Sequence, residues 1–411
     1  MNLRKLILAA GIAVSLPTLA QPLTLETARA QALENQPALR AFELSARAAQ
    51  ESAVADGALP DPRLKFGALN FPTRGFPSTR DDMTQVGISW EQMIPGGDKR
   101  RLRTERTQAE AEQARAEALG MRQMILREVG VSWFDAWLAA ANERLVGEVA
   151  KELERGIELA RIALASGRGT QADVLAARQL LNQTADRRLE LAAQAERARA
   201  SLARWAPGAA SRPLPEALLE FPPPAPLAAL REALESHPQQ QMIARMQGVA
   251  DADTALAREA SKPDRSVEFG YFARSGGRSD MLMFQMAFEL PLFAEKKQDR
   301  LVEAKLRLAE RTREQRADQL RQLRAELESA YAEWRLSGER MRNVATTILP
   351  DAKARLDALV AAHGAGTAPL LLVFEARRQL IEARMQELAL RAGQAKARVA
   401  LQYFEHEGVQ R

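Results

Sequence analysis

The side chains best suited to bind a metal or to carry out catalysis are few and scattered along the chain. There are three histidines, His237, His363 and His406, and no cysteine. None of the histidines has partners at the spacing of a metal-binding motif. The lack of cysteine excludes disulfides, thiolate ligands and thiol catalysis. We therefore predict no catalytic, cofactor or metal site, and we interpret the histidines as isolated surface residues.

Three methionines close together, Met281, Met283 and Met286, form the one other group that a soft metal ion would prefer. They lie in a segment that alternates like a β-strand, so Met286 faces away from the other two. We interpret them as flexible apolar fillers of a sheet.

The composition indicates long helices and no nucleic-acid partner. The formal net charge is +5, and basic and acidic residues are both spread along the chain. Such mixing is typical of solvated helix faces, whereas a nucleic-acid interface concentrates basic residues on one surface. The richness in Ala, Leu, Glu and Arg favours helices over several compact cores.

Two very long helical runs dominate the chain. No proline occurs between Pro95 and Pro207, and the segment from Lys99 to Leu164 is filled with helix-forming residues. A helix of that length would extend for about 100 Å. A second run from Lys296 to His363 is broken only by Pro350. Each run carries a narrow apolar seam typical of a coiled coil, at Leu145, Val149, Leu153, Ile157, Ala160 and Leu164 in the first run and at Met341, Ala345, Ile348, Ala352, Leu356 and Leu359 in the second.

The two halves of the chain resemble each other, which indicates an internal duplication. The matching positions keep offsets between 197 and 203: Leu33 to Pro37 with Leu234 to Pro238, Phe66-Gly67 with Phe269-Gly270, Glu91 with Glu289, and Lys99 with Lys297. We predict a first repeat over 21–206, a proline-rich, extended linker over 207–226 and a second repeat over 227–411. Each repeat would hold short helices, a strand pair (63–92 and 266–290) and a long helical hairpin (99–205 and 296–404).

The strand pairs alternate apolar and polar residues. Leu64, Phe66 and Ala68 share one face, as do Val86, Ile88 and Trp90. The second pair repeats the pattern, with Val267, Phe269 and Tyr271 in one strand and Leu282, Phe284, Met286, Phe288 and Leu290 in the next. The other face carries Arg63, Lys65, Glu91, Glu268 and Glu289.

Strands of this length are close to what a tilted strand needs to cross an outer membrane. Every backbone group must be paired in lipid, and the smallest closed barrels have about eight strands. Four strands therefore predict an oligomer in which several chains share one barrel. The alternative is a small soluble sheet at the end of a helical rod, which alternation alone does not exclude.

Both long helices end at a pair of glycines that predicts a turn between helices. These turns are Gly167-Arg168-Gly169-Thr170 and Gly364-Ala365-Gly366-Thr367. Thr170 and Asp173 have the spacing of a capping box. Asp173 is therefore interpreted as a helix cap, with a second role in an acidic ring as the alternative.

Residues 1–20 have the features of a secretory signal. Arg4 and Lys5 precede an apolar run, and small residues precede the expected cleavage site before Gln21. Because Gln21 stands where a lipoprotein has cysteine, we expect an exported protein without an acyl anchor.

From Leu23 to about Phe404 the chain resembles the TolC-like outer membrane factors of tripartite efflux systems. The Leu-Glu-x-x-Pro helices, the strand pairs and the glycine turns occur in the family's order. Asn70-Phe71-Pro72, Asp81 to Thr84 and Pro95 to Arg100 look like the branch that exports heavy metals. The resemblance implies a mainly α-helical chain with a membrane β-barrel portion, forming a homotrimer with a twelve-stranded barrel and a periplasmic helical tunnel.

The resemblance also implies partners and contact residues. A periplasmic adaptor would meet the turns at Gly167, Arg168, Gly169, Thr170, Gly364, Gly366 and Thr367, and Asp173 would line a tunnel constriction. An inner-membrane resistance-nodulation-division pump would drive export, and the strands would contact outer membrane lipid. The alternative function is a periplasmic coiled-coil scaffold or adaptor, although an adaptor would have one hairpin between lipoyl-like strands.

Overall fold

The computed structural model describes residues 21–34, 36–72, 81–167, 169–218 and 221–405. Helices and strands follow one another in the same order in both halves of the chain: two helices, two strands, a long helix or helix pair, and a returning helix. The first half contains α1 (Leu25–Glu34), α2 (Pro37–Gly57), β1 (Arg63–Leu69), β2 (Gln85–Ile94), α3 (Lys99–Ala165) and α4 (Gln171–Trp205). The second contains α5 (Leu227–Glu232), α6 (Pro238–Glu259), β3 (Arg265–Arg274), β4 (Met281–Phe288), α7 (Gln298–Asn343), α8 (Leu349–Gly364) and α9 (Leu370–Gln402).

The predicted elements are present, and most of their ends lie within about two residues of the predicted ones. The first long helix ends at Ala165, one residue beyond the prediction. Strand β4 ends at Phe288, so Glu289 and Leu290 lie outside it. The predicted loop over 71–82 falls partly outside the described residues.

The proline-rich segment after α4 is less extended than predicted. Its first residues turn back on themselves, with the Ala209 and Arg212 amides donating to the carbonyls of Ala206 and Ala209 at 3.0 Å. The Pro213 carbonyl then accepts from the Leu23 amide at 2.8 Å. This part of the linker is therefore packed against the start of the described chain.

The chain forms two compact units, and each contains segments from both sequence halves. The first comprises the described parts of 1–35, 125–223 and 332–399, and the second those of 36–124, 224–331 and 400–411. Helices α3, α7 and α9 contribute residues to both units, so the units do not coincide with the predicted repeats.

In the first unit, the predicted seam of α3 forms a core. Val149, Leu153 and Ile157 are buried and cluster with Ala177 and Phe374 from the returning helices. Ala160 is buried as well. The narrow apolar stripe therefore packs α3 against α4 and α9, as its heptad-like spacing predicts.

The second seam is wrong at one position, which lies where the backbone changes its helical geometry. Val344 is 1% exposed, whereas the predicted Ala345 is exposed. Residues Val344–Ile348 form a π-helical turn in which the Leu349 amide donates to the Val344 carbonyl. Pro350 follows at once, lacks an amide hydrogen and crowds the carbonyl of Thr346. The wider turn accommodates the proline.

In the second unit, Asp253 on α6 joins two long helices through charged hydrogen bonds. Arg106 Nε on α3 lies 2.5 Å from Asp253 Oδ1, and Lys305 Nζ on α7 lies 2.6 Å from Oδ2. Burial alone would raise the pKa of Asp253, but the bonds from Lys305 and Arg106 outweigh burial and hold the pKa below its ordinary value. The ionised carboxylate is therefore the form that stabilises this contact.

Replacing Asp253 by Asn should lower the stability of the protein and change its pH dependence. Bonds to charged groups contribute about 1.5–3 kcal/mol, which partial exposure reduces. A depressed folded pKa gives stability that is present above the unfolded value of about 3.9 and is lost as the pH falls through the folded pKa. Thermal unfolding followed by circular dichroism should therefore show a lower Tm at neutral pH for Asp253→Asn, with a smaller loss on acidification.

The control variant is Asp251→Asn. Asp251 lies on the same helix, but it is exposed and 3.7 Å from Arg313. If both variants shift Tm equally, the three-helix contact has no special role.

Candidate functional sites in the sheet and at the hairpin turns

The four strands form one antiparallel sheet in the order β1-β2-β3-β4. The two predicted hairpins are thus joined by pairing of β2 with β3, with Ile88 opposite Tyr271 and Trp90 opposite Phe269. Within the described residues, β1 and β4 are the edge strands, so one side of each has no neighbour.

One face of the sheet is apolar and open to the surroundings. The predicted same-face residues lie opposite one another, as with Phe66 and Ile88 or Phe269 and Phe284. Phe66 is 75% exposed and Leu282 is 86% exposed. Single exposed hydrophobic residues are common on protein surfaces, but a continuous exposed apolar surface marks a contact with lipid or with a partner. The other exposed members are Leu64, Val86, Trp90, Tyr271, Met286 and Phe288.

The opposite face is polar at its centre. Lys65 Nζ lies 2.9 Å from both Glu91 Oε2 and Glu268 Oε2, and Ser89 Oγ donates to Glu268 Oε1 at 2.5 Å. The predicted mixture of charges is confirmed here. Arg63 pairs in register with Glu91. Glu289 lies beyond β4, where its amide donates to the Asp264 carbonyl at 3.0 Å.

Phe272 is the exception on this polar face, since it is an aromatic residue that is almost fully buried. The Phe272 ring lies over two glycines. A Cβ at Gly87 would lie 2.4 Å from the ring, and a Cβ at Gly270 would lie 2.6 Å from it. These glycines make room for the ring. Met283 also lies on this face, opposite Gly270, while Met286 faces the other way, as alternation predicted.

The turns at the ends of the long hairpins have left-handed glycines in equivalent places. Gly167 has a φ of 70° and Gly366 a φ of 74°. Their amides donate to Leu164 and His363 three residues earlier, at 3.0 and 2.9 Å, as in a Schellman C-cap. The first glycine of the 167–170 turn therefore corresponds in conformation to the second glycine of the 364–367 turn.

The residues after these glycines have different roles in the two turns. Thr170 is the N-cap of α4, and its side chain and that of Asp173 form the predicted capping box. Thr367 instead closes α8, since its amide and its hydroxyl both bond to the Ala362 carbonyl at 2.9 Å. Arg168 lies outside the described residues.

The other two turn glycines differ in what a side chain would meet. A Cβ on Gly169 would lie 3.1 Å from Ala163 Cβ, so this position is closely packed. Gly364 is the last residue of α8, and a Cβ there would meet nothing within 4 Å. A side chain can therefore be accommodated at Gly364.

Near these turns the helices expose apolar residues that sequence reasoning missed. Ile162 on α3 is 64% exposed, and Leu175, Leu371 and Val360 are also exposed. Between the helices lies a cleft of about 230 Å³ lined by both apolar residues and Asp173. The signal in the sequence is that these residues lie off the buried seam, where a solvated coiled coil would carry polar side chains.

The two histidines among the described residues each bond to different backbone groups. His237 is 0% exposed, so the expectation of a surface histidine is wrong for it. Its Nδ1 accepts from the Gln239 amide at 3.2 Å and its Nε2 lies 3.0 Å from the Tyr403 carbonyl, which requires the neutral ring protonated at Nε2. His363 Nδ1 lies 3.0 Å from the Ala368 carbonyl. His406 lies outside the described residues.

Two other kinds of site are absent from the described ranges. No group of three or more histidine, aspartate or glutamate side chains there is arranged to hold a metal ion. None of the helices in those ranges combines the length and the apolar character that a membrane crossing requires.

Long helical hairpins joined to a sheet with an exposed apolar face define the class of outer membrane channels. The model of the family described as "Outer membrane efflux protein" matches residues 28–206 and 229–403. The chain belongs to this family.

A curated relative and two solved structures agree with this assignment. The chain is 30% identical over 387 residues to the cobalt-zinc-cadmium resistance protein CzcC of Cupriavidus metallidurans, covering 90% of this chain and 87% of that protein. It superposes on the outer membrane protein VceC of Vibrio cholerae with a TM-score of 0.78 at 17% identity, covering 92% and 95% of the two chains. The Campylobacter jejuni CmeC outer membrane channel gives a TM-score of 0.79 at 14% identity, covering 92% and 85%.

Replacing Gly366 by Ala should destabilise its turn, whereas Gly364→Ala should not. A left-handed residue with a Cβ costs about 1–2 kcal/mol. At Gly364 alanine is the better helix former and gains up to about 1 kcal/mol. Amide hydrogen exchange over 360–372 should be faster in Gly366→Ala and unchanged or slower in Gly364→Ala. Equal exchange in the two variants would contradict the assigned C-cap.

Proposed function

We propose that this protein is a homotrimeric outer membrane channel that exports heavy-metal cations, in complex with a periplasmic adaptor and an inner-membrane resistance-nodulation-division pump. The observation that carries the proposal is the single sheet with an exposed apolar face and two unpaired edges. The sheet can lie in lipid only if other strands pair with its two edges.

Strand number supports more than one chain per barrel. Lipid offers no hydrogen bonds to the open edges of β1 and β4, so spanning sheets are closed. Closed barrels have at least about eight strands, and each chain supplies four. Three chains would give twelve strands, the number implied by the resemblance described above. The polar face with Lys65, Glu91 and Glu268 would then line the water-filled interior.

The hairpin turns are proposed as the adaptor contacts. Exposed apolar residues surround both turns, among them Ile162 and Leu371. Apolar groups exposed beside a cleft are typical of surfaces that bind another protein. The sites proposed from the sequence, Gly167 to Thr170 with Gly364, Gly366 and Thr367, lie at these turns. Asp173, which takes part in the capping box of α4, would also add a negative charge to the tunnel constriction.

The proposed cargo follows from the relative named for cobalt, zinc and cadmium resistance. A conduit must hold its cargo weakly enough to release it. The charges on the polar face are of both signs and are paired with one another, so they offer an ion no strong site. We propose passive transit here, with metal selectivity residing in the pump and the adaptor.

Export of the chain would depend on the signal in residues 1–20, with no acyl anchor on Gln21. The alternative function is a periplasmic scaffold. Its helices could have the same seams, but the exposed apolar sheet face would then need a protein partner in place of lipid. Location and oligomeric state therefore separate the two functions.

The mature protein should sediment with the outer membrane and require detergent for release. In mild detergent, light scattering should give the mass of a trimer, because four strands alone cannot close a barrel. Recovery from the soluble periplasmic fraction would support the scaffold. A folded monomer in detergent would contradict the channel assembly.

Ile162→Asp and Leu371→Asp should abolish metal export without changing the trimer. A charge at either apolar position would weaken adaptor docking, since a buried unpaired charge is costly. Metal tolerance of the host, with helicity and oligomer mass of the purified variants, measures both effects. Leu189→Asp is the matched control, since Leu189 on α4 is 72% exposed but lies away from the turns. If export continues in both turn variants, these residues do not contact the adaptor.

A further inference from the structure

The segment that connects β2 to α3 is held by an ion pair between the two halves of the chain. Lys99 Nζ lies 2.7 Å from Asp264 Oδ1 and 2.6 Å from the Lys262 carbonyl. The Gly96 amide also donates to Asp264 Oδ1 at 2.7 Å. Lys99 and Pro95 are buried here. The first half of the chain is thus joined to the segment that precedes β3 in the second half.

Each partner in this contact has a counterpart in the other repeat. Pro60-Asp61 precedes β1 as Pro263-Asp264 precedes β3, with the offset of 203 that also relates Phe66-Gly67 to Phe269-Gly270. Lys297 follows β4 as Lys99 follows β2, with the offset of 198 that also relates Glu289 to Glu91. The counterpart of the Lys99–Asp264 pair is therefore Lys297 with Asp61.

Within one chain this second pair is not formed. Asp61 and Lys297 are exposed, and neither side chain makes an ion pair in the described part of the protein. Asp61 adjoins β1 and Lys297 follows β4, the two outer strands of the sheet. Three strand spacings separate these edges by about 14 Å, which is too far for contact.

The surface around Lys297 lacks the cover that its counterpart has. Leu290, Leu292 and Phe293 are 67%, 78% and 74% exposed. Pro95, in the equivalent β2–α3 segment, is buried beside the second half of the chain. Three large apolar residues next to an unpaired lysine form a surface that needs a partner.

We propose that this surface, residues 290–297, binds the segment 59–63 of a second copy of the chain, with Lys297 paired to Asp61 of that copy. Within one chain, Lys99 of the first half contacts Asp264 of the second half. In the equivalent contact, Lys297 of the second half would meet Asp61 in the first half of the next chain. Such a head-to-tail contact closes into a ring when its rotation permits. The inference rests on the homotrimer proposed above and assigns an ion pair to its interface.

Cysteine cross-linking tests this contact directly, because the chain has no cysteine of its own. The variant Asp61→Cys/Lys297→Cys, purified in detergent, is treated with a short bis-methanethiosulfonate reagent. We expect covalent dimers and trimers on a denaturing gel, and only monomers from either single variant. Co-expression of the two single variants should stop at dimers, since each chain then carries one reactive end.

The matched control is Lys99→Cys/Asp264→Cys, which should cross-link within one chain and give no oligomer. If light scattering shows a trimer and this control reacts while the 61/297 variant stays monomeric, the proposed contact is wrong and the trimer stands. If light scattering shows monomers, the assembly itself is wrong.

Charge reversal gives a second test that needs no reagent. Asp61→Lys and Lys297→Asp should each reduce the fraction of trimer that survives mild heating in detergent, and the double variant should restore it. Loss without restoration in the double variant would overturn the pairing of these two residues.

Discussion

The pairing of backbone polar groups in a sheet with two open edges is the constraint on which the rest of this structure depends. Strands β1 and β4 each present one row of amide and carbonyl groups that no described residue of the chain pairs. In water such an edge is tolerated, but in lipid each unpaired group costs several kcal/mol. The exposed apolar face indicates that lipid or a partner covers this side of the sheet. In the proposed channel, strands from other copies of the chain would pair with these two edges, so the interfaces between copies would be part of the fold.

The helices satisfy a different requirement, which is to pack over a great length with little core. Between Val149 and Ala160 a narrow seam is enough, since each turn of α3 there buries one or two small or branched residues. A single proline must then be absorbed without losing the seam. The π-helical turn before Pro350 lies next to the proline, and α8 continues from Leu349.

Much of the fold was predictable because its signals are local. Proline and glycine before Lys99 and glycine after Ala165 fix the ends of α3, and strict alternation fixes the faces of the strands. The errors arise where distant or conformational information is needed. Burial of His237 depends on Tyr403, far along the chain, and the left-handed Gly366 cannot be distinguished from Gly364 by residue type.

The different geometry of the two turns has a consequence for symmetry. One turn passes directly into a capped helix, while the other closes with a threonine bonded back to Ala362 and continues to Pro369 before α9 begins. In a ring of three chains the turns would alternate, giving six positions of two kinds. The six turns would then be related by threefold symmetry and not by sixfold symmetry. If identical partner subunits bound all six turns, they would have to bind in two non-equivalent orientations around the ring.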